Sequence, residues 1–220
     1  MNSLEPMKLS FNLDDYSVNP KVSEYEARLE EIQKEKDFEA YKKSGVPAKF
    51  FNESLETFIA ETDEEKRNLY VVRQFCKNPK NKVLLLSGFR GNGKSHLLCG
   101  IIRECGGEYI SSLDLCVEYE SATSYHSPRT RNEILKHYST VSMLVIDECG
   151  KYSPDEKLEQ FLLSYIFSTR YENNLATAAA TNANKKGLIE FLGKSVFDRF
   201  IECCTTLDFT GASKRRRIND

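Results

Sequence analysis

The chain has 220 residues, of which 40% are hydrophobic and 29% are charged, and its formal net charge is −2. These values are typical of one globular domain with an extension, and the longest apolar runs are too short to cross a bilayer. A charge near zero excludes a basic surface spread over the whole protein, so a nucleic-acid contact would need a local patch.

The cysteines and the amino-terminal residues predict a reducing compartment. The seven cysteines are scattered and form no C-x-x-C pair, and the three histidines show no ligand spacing with them. We therefore expect reduced structural thiols and no zinc site. The opening stretch MNSLEPMKLSFNLDD lacks the basic and apolar regions of a secretory signal. This favours a cytoplasmic protein with no membrane segment.

Residues 1–47 are predicted to form a polar tail and a helical arm. From Val22 to Lys43 the sequence is densely charged and carries a narrow apolar stripe at helical spacing, which includes Leu29 and Ile32. The charges are typical of a solvated face, and the stripe is where a partner would dock. Gly45 and Pro47 end this helix. The sequence therefore predicts a boundary between the arm and a core that spans residues 48–220.

A nucleotide phosphate cradle follows a predicted helix over Asp63–Lys77. The apolar run Val83–Leu86 is typical of a parallel strand that is covered on both faces. The segment GFRGNGKS then matches G-x-x-x-x-G-K-[ST], and a helical pattern starts at His96. The loop N–H groups and the lysine bind phosphates, and the serine offers a hydroxyl to Mg²⁺. The predicted nucleotide-binding residues are Gly88, Phe89, Arg90, Gly91, Asn92, Gly93, Lys94, Ser95 and His96.

The segment Tyr119–Arg131 has no apolar core pattern and mixes aromatic residues with arginines. Two interpretations remain open, a solvated loop and a single-strand binder in which rings stack on bases and cations neutralise phosphates. A helix that carries Lys136 would extend the same patch. The candidate DNA-binding residues are Tyr125, Arg129, Arg131 and Lys136.

The run SMLVIDE is a second motif, a buried strand closed by two carboxylates. Ligands of open parallel sheets bind at the carboxyl ends of the strands, so Asp147 is expected to hold Mg²⁺ together with Ser95. Glu148 points the other way along the strand and is expected to polarise the attacking water.

Further elements continue the alternation of strands and helices. The stripe Leu158, Phe161, Leu162, Tyr165 and Ile166 predicts a helix that packs these five side chains into the core. The strand LATAAATN ends on Thr181 and Asn182, and Asn182 either faces the γ-phosphate or caps a turn. The basic run Lys214–Arg217 is either a solvated tail or a nucleic-acid tail.

In this order, GFRGNGKS, LVIDE, TAAATN, GKSVFDRF and FTGASKRRR resemble the DnaC/DnaI helicase loaders and their IstB-like relatives over residues 40–217. These proteins are AAA+ ATPases, an α/β class of P-loop NTPase with a parallel central sheet flanked by helices. The resemblance implies that Lys94, Asp147, Glu148 and Asn182 are catalytic, and that Arg199 is an arginine finger offered to the next subunit. Arg215 is the implied sensor 2 residue, although Arg216 and Arg217 share its basic run.

The resemblance also implies a function. It predicts an ATP- and Mg²⁺-dependent loader that places a replicative ring helicase on single-stranded DNA, contacts the helicase through the arm, and self-associates through its ATP site. Hydrolysis would be slow and regulatory. Two alternatives stay open, an IstB-like regulator of DNA transposition and an adaptor that binds ATP without hydrolysing it.

Overall fold

The computed structural model describes residues 20–124, 127–150, 155–183, 185–193, 198, 202–211 and 213–214. The chain divides into two compact units, Met1–Glu39 and Ala40–Asp220. Helix α1 (Pro20–Lys43) begins in the first unit and ends in the second. Among the described residues, no helix is both long enough and apolar enough to span a membrane.

In the described part of the second unit, a sheet of five parallel strands forms the centre, in the order β2-β3-β4-β1-β5. The strands are β1 (Val83–Gly88), β2 (Glu108–Ser111), β3 (Met143–Cys149), β4 (Ala176–Thr181) and β5 (Cys204–Phe209). The central strands β1 and β4 are buried along almost their whole length, because helices cover both faces of the sheet. The predicted α/β fold with a parallel sheet is confirmed.

The helices lie on the two faces of this sheet. They are α2 (Asp63–Lys77), α3 (Lys94–Cys105), α4 (Ser112–Ser121), α5 (Arg131–Thr140), α6 (Glu156–Glu172) and α7 (Lys185–Leu192), and a short 3-10 helix spans Ala48–Phe50. Side chains alternate between the faces along a strand, so Leu84 and Leu86 pack with α2 and α3. Leu85 packs with α5 and α6 on the other face.

The prediction of the α6 core stripe is wrong at two positions. Phe161 and Tyr165 are 49% and 44% exposed. The buried face of α6 is instead centred on Leu162, Leu163, Ile166 and Phe167. Both sets of residues satisfy helical spacing and share Leu162 and Ile166, so the buried face is rotated toward Leu163 and Phe167 relative to the predicted one. Phe161 lies at the edge of this face, where its ring contacts those of Tyr119 and Tyr165.

Arg170, near the end of α6, is a buried cation that joins three elements. Its guanidinium donates to the hydroxyl of Thr177, to the carbonyls of Tyr138 and Val141, and to the carbonyl of Ala176. The side chain is 1% exposed. Burial lowers the pKa of Arg170 to about 10. These bonds fix the end of α5 and the start of β4 against α6.

The strand order brings the predicted site residues to one edge of the sheet. Strand β1 lies next to β4, with Ser87 opposite Thr181, and β4 lies next to β3. The carboxyl ends of β1, β3 and β4 are therefore neighbours, although they lie at residues 88, 149 and 181 of the chain. The cradle, the acidic pair and the polar end of β4 meet at this edge.

Candidate active site

A cavity of about 350 Å³ lies at the carboxyl edge of the sheet. It is bounded by the cradle, the ends of β3 and β4, the segment that precedes α2, and Lys214 from beyond β5. The lining residues are Phe50, Glu53, Thr57, Phe58, Ile59, Arg90, Gly91, Gly93, Lys94, Ser95, His96, Asp147, Glu148, Ala180, Thr181, Asn182 and Lys214.

The cradle turns between β1 and α3 on left-handed glycines. Gly91 and Gly93 have φ angles of +89° and +88°. A Cβ atom at Gly93 would lie 2.6 Å from the ring of Phe58, and one at Gly91 would lie 2.1 Å from the hydroxyl of Ser213. Protein neighbours outside the loop, as well as the space for a phosphate chain, therefore require glycine at both positions.

Lys94, the first residue of α3, is 7% exposed and lines the cavity. Its ammonium donates to the carbonyls of Gly88 and Phe89, both at 2.7 Å. These bonds hold a positive charge inside the cradle at the amino end of a helix, where an anion is also favoured by the helix dipole.

The remaining cradle residues take different places. Arg90, Ser95 and His96 line the cavity. The Phe89 side chain is 76% exposed. Asn92 is buried, and its amide donates to the carbonyls of Phe209 and Gly211 at 2.9 Å each. Asn92 therefore fastens the cradle to the segment after β5.

The two carboxylates that end β3 have different environments. Asp147 is 5% exposed, and its Oδ2 accepts a hydrogen bond of 2.7 Å from the Tyr109 hydroxyl. Glu148 is exposed and adopts a left-handed φ of +59°. Burial, and next the charge of Asp147, raise the pKa of Tyr109 far above its ordinary range, so this hydroxyl stays protonated and donates. The predicted divergence of the two carboxylates agrees with this geometry.

The end of β4 supplies polar groups beside the acidic pair. Asn182 lines the cavity. The Thr181 hydroxyl donates to the carbonyl of Cys149 at 2.8 Å and accepts from the backbone N–H of Ala183 at 3.0 Å. Thr181 thus ties the end of β4 to the end of β3.

The segment before α2 forms a wall that sequence reasoning missed. His96 Nδ1 lies 2.5 Å from the carboxylate of Glu53, and its Nε2 lies 2.8 Å from the carbonyl of Ser54. The ring also packs edge-on against Phe58, with centroids 5.3 Å apart. His96 therefore attaches this wall to the first turn of α3.

Lys214 closes the cavity from the carboxyl-terminal side. Its backbone N–H donates to the carbonyl of Gly91 at 2.8 Å. Its ammonium lies 2.9 Å from Glu65 and 4.9 Å from the ring centre of Phe58. Burial would raise the pKa of Glu65, but hydrogen bonds from Lys214 and from two backbone N–H groups lower it overall. Arg199 and Arg215, together with Arg216 and Arg217, lie outside the described residues.

Three of the candidate DNA-binding residues are described, and they lie between α4 and α5 or on α5. Arg129 contacts Glu118 at 3.4 Å, and the Arg131 guanidinium lies 4.8 Å from the ring centre of Tyr119. Lys136 is exposed on α5, five positions after Arg131 and so on a different side of that helix. Tyr125 lies outside the described residues.

The chain resembles known proteins in the motifs of its site and in its fold. A family model described as RNA helicase matches residues 84–189, which include both the cradle and the acidic pair. The solved structure of the DnaC helicase loader superposes with a TM-score of 0.66 at 23% identity, over 74% of this chain and 99% of that one. For DnaI the TM-score is 0.61 at 21% identity, over 77% and 94%. DnaA bound to AMPPCP and single-stranded DNA gives 0.62 at 22%, over 78% and 53%. The chain thus has the α/β P-loop NTPase fold that these solved structures share.

Among sequence relatives, the replicative helicase loader DnaC of Escherichia coli is 26% identical over 197 residues, which is 87% of this chain and 78% of the loader. DnaC of Buchnera aphidicola is 25% identical over 71% of this chain and 66% of the loader. An ATP-binding protein of insertion sequence IS232 from Bacillus thuringiensis is 28% identical over 66% of this chain and 60% of that protein. The predicted resemblance to DnaC/DnaI-like AAA+ proteins is confirmed.

Proposed function

We propose that this protein loads a replicative ring helicase onto single-stranded DNA and that Mg-ATP, bound in the cavity, controls its assembly. The observation that carries the proposal is the convergence of Lys94, Ser95, Asp147, Glu148 and Asn182 on one cavity. The chain that holds this site is similar to DnaC over 87% of its length.

The described residues fit a bound Mg-ATP. The left-handed cradle glycines place no Cβ atom of their own in the loop, and α3 begins at Lys94, whose ammonium lies inside it. Mg²⁺ is commonly held by one or two protein oxygens together with phosphate oxygens. Ser95 and Asp147 offer one hydroxyl and one carboxylate at the cavity wall, which matches that donor set.

ATP would supply the phosphoryl group that passes to water, and Mg²⁺ would neutralise the charge that develops on it. The Lys94 ammonium stabilises negative charge on the phosphates. The Glu148 carboxylate, exposed at the cavity, orients the water and accepts its proton. The Asn182 amide holds the water or the γ-phosphate, and Arg199 completes the site of a neighbouring subunit. Because the site is complete only when a second subunit is present, we expect hydrolysis by this protein to be slow and regulatory.

Lysine and arginine substitutions separate these roles. Lys94→Ala is expected to abolish binding of a fluorescent ATP analogue. Arg199→Ala is expected to leave binding intact and to lose the hydrolysis that depends on protein concentration. An equal loss of ATP binding in both variants would contradict an interfacial role for Arg199.

The arm is the proposed contact with the helicase. Leu29 and Ile32 are apolar, lie three positions apart on one side of α1, and are 48% and 40% exposed. Affinity capture with the full chain and ATP should recover the replicative helicase from a cell extract. Leu29→Asp combined with Ile32→Asp should lose the helicase and retain ATP binding, whereas Gln33→Asp should retain both.

A patch at the ends of α4 and α5 is the proposed contact with DNA. The side chain of Arg129 is 47% exposed, and Arg131 is exposed beside the ring of Tyr119. Removing three cations, with Arg129→Ala, Arg131→Ala and Lys136→Ala together, should lower single-strand affinity and reduce the salt slope by about 2, at roughly 0.7 per phosphate contact. Unchanged affinity would place the contact elsewhere.

Regulation of DNA transposition is the second candidate, because of the similarity to the IS232 protein. Recovery of a transposase instead of a helicase in the same capture experiment would favour it. An adaptor that binds ATP without hydrolysis is the third candidate, and it would be supported if Glu148→Gln left phosphate release unchanged.

A further inference from the structure

Glu159 is a buried carboxylate in the first turn of α6, outside the nucleotide motifs. It is 2% exposed, and its Oε1 atom accepts a 2.7 Å hydrogen bond from the backbone N–H of Gly150. The same oxygen accepts from the hydroxyl of Ser112, the first residue of α4. The amino end of α6 is already capped by Asp155, whose side chain accepts from the N–H of Leu158. Glu159 is therefore not needed to start its helix. The free-energy cost of burying its carboxylate is offset by the hydrogen bonds that it accepts from Gly150 and Ser112.

Gly150, whose backbone N–H donates to Glu159, lies two residues after Glu148. Glu148 has a φ of +59°, and the pairing of β3 with β4 shifts between Ile146 and Cys149. A left-handed conformation is strained for a residue with a side chain, and it persists only where the surroundings hold it in place. The direction of the Glu148 carboxylate thus depends on the bonds that fix this turn.

Among the described residues, three hydrogen bonds tie this turn to a carboxylate or to the neighbouring strand. The N–H of Glu148 donates to Asp147 Oδ1 at 2.8 Å. Thr181 donates to the carbonyl of Cys149 at 2.8 Å. Gly150 donates to Glu159 at 2.7 Å. The first two bonds come from the strands, and the third anchors the exit of the turn to α6.

We propose that Glu159 is a positioning residue for hydrolysis: it holds Gly150 and thereby keeps the Glu148 carboxylate directed at the attacking water. Ser112 fixes the orientation of the Glu159 carboxylate and joins α4 to the same bond. The inference rests on the proposed ATP hydrolysis. Because the cradle belongs to β1 and α3, loss of the Glu159 contact affects turnover and leaves nucleotide binding unchanged.

The first test compares Glu159→Ala and Glu159→Gln with Glu156→Ala, an exposed glutamate in the same turn of α6. Phosphate release gives kcat and KM, a fluorescent ATP analogue gives Kd, and thermal unfolding monitors the fold. Glu159→Ala should lower kcat about 10- to 100-fold, the range expected when a reacting group is misplaced by up to about 1 Å, with Kd within about twofold of the unchanged chain. Glu159→Gln should recover part of the rate, since its amide oxygen still accepts from Gly150. Glu156→Ala should have no effect.

The second test asks whether Glu159 acts through Glu148. In a Glu148→Gln background, single-turnover hydrolysis should show no further loss when Glu159→Gln is added, because the carboxylate that it positions is gone. Multiplication of the two losses would overturn the proposal, as would unchanged kcat in a folded Glu159→Ala variant or an equal loss of nucleotide binding. If Glu159→Ala fails to fold, the isosteric Glu159→Gln variant and Ser112→Ala decide the same question. Absence of phosphate release by the unchanged chain, with helicase and DNA present, would instead overturn the proposed hydrolysis itself and this inference with it.

Discussion

Replacing Arg170 is expected to cost a large part of the stability of the second unit. Methionine fills a similar volume but removes four donated hydrogen bonds, from Arg170 to Thr177, Tyr138, Val141 and Ala176. At about 1 kcal/mol for each bond, Arg170→Met should lower the free energy of unfolding by about 4 kcal/mol. Domains have only about 5–15 kcal/mol in total. For a chain of this size the midpoint of thermal unfolding should fall by about 8–16 °C.

The assay is thermal and urea unfolding of Arg170→Met, Arg170→Lys and Arg170→Ala. Arg170→Lys keeps a buried charge but cannot reach four acceptors with one ammonium, so it should be no more stable than Arg170→Met. Arg170→Ala should be less stable again because it leaves a cavity. Arg73 on α2, which donates one bond of 3.3 Å to the carbonyl of Leu55, provides the control, and its change to methionine should cost about 1 kcal/mol or less. A loss below about 1 kcal/mol in Arg170→Met would refute the reasoning, since the four acceptors would then have found other partners.

Three further predictions concern the nucleotide site and the buried tyrosines. Gly93→Ala should weaken binding of an ATP analogue by about tenfold, because the left-handed φ costs about 1–2 kcal/mol and the new Cβ meets Phe58; Gly211→Ala, with open space around it, is the control and should bind normally. Tyr109→Phe should cost about 1–2 kcal/mol of stability and lower phosphate release, since Asp147 loses a donor; equal activity would show that this hydroxyl is dispensable. Alkali should destabilise the protein. Burial raises the pKa of three tyrosines above the ordinary 10.0, so above about pH 10 the unfolded chain loses protons that the folded chain keeps, and stability falls by about 1.4 kcal/mol per pH unit for each. The three tyrosines are Tyr41, Tyr109 and Tyr138. The midpoint of urea unfolding, measured between about pH 9 and pH 11, should fall with pH, and a midpoint that does not change with pH would contradict the prediction.

The elements were predictable from the sequence because their signals are local. Strand β1 begins with VLLL and β3 with MLVI, four apolar residues in a row, and this pattern is typical of strands that are covered on both faces. The face of α6 was less predictable, because periodicity restricts the choice to neighbouring faces and packing decides between them. Phe161 and Tyr165 satisfied the spacing and lie on the exposed side.

The motifs predicted the groups that surround the cavity but not the residues that hold those groups in place. Tyr109 precedes Asp147 by 38 residues, and Glu65 precedes Lys214 by about 150, so no local spacing connects either pair. Glu159 looks like one more charged residue in the first turn of a helix, and only its 2% exposure distinguishes it from Glu156. The capping box of Thr62 and Glu65 was readable as T-x-x-E, but it gave no sign that the other carboxylate oxygen of Glu65 binds Lys214.

Tyr109 connects the nucleotide site to the end of the arm helix. Its hydroxyl binds Asp147 at 2.7 Å, and its backbone N–H donates to the carbonyl of Ser44 at 2.7 Å. Gly45 lies so close that a Cβ there would be 2.2 Å from the carbonyl oxygen of Tyr109. Tyr109 therefore contacts both the residues that follow α1, through its backbone, and the carboxylate expected to bind Mg²⁺, through its side chain. The proposed control of assembly by Mg-ATP requires contacts that change with the nucleotide, because a ligand shifts an equilibrium only as far as the two states differ in their contacts with it. Tyr109→Phe breaks the contact at the site and leaves the backbone contact with Ser44. It should therefore reduce the difference in helicase capture with and without ATP, while the variant still binds both ATP and the helicase.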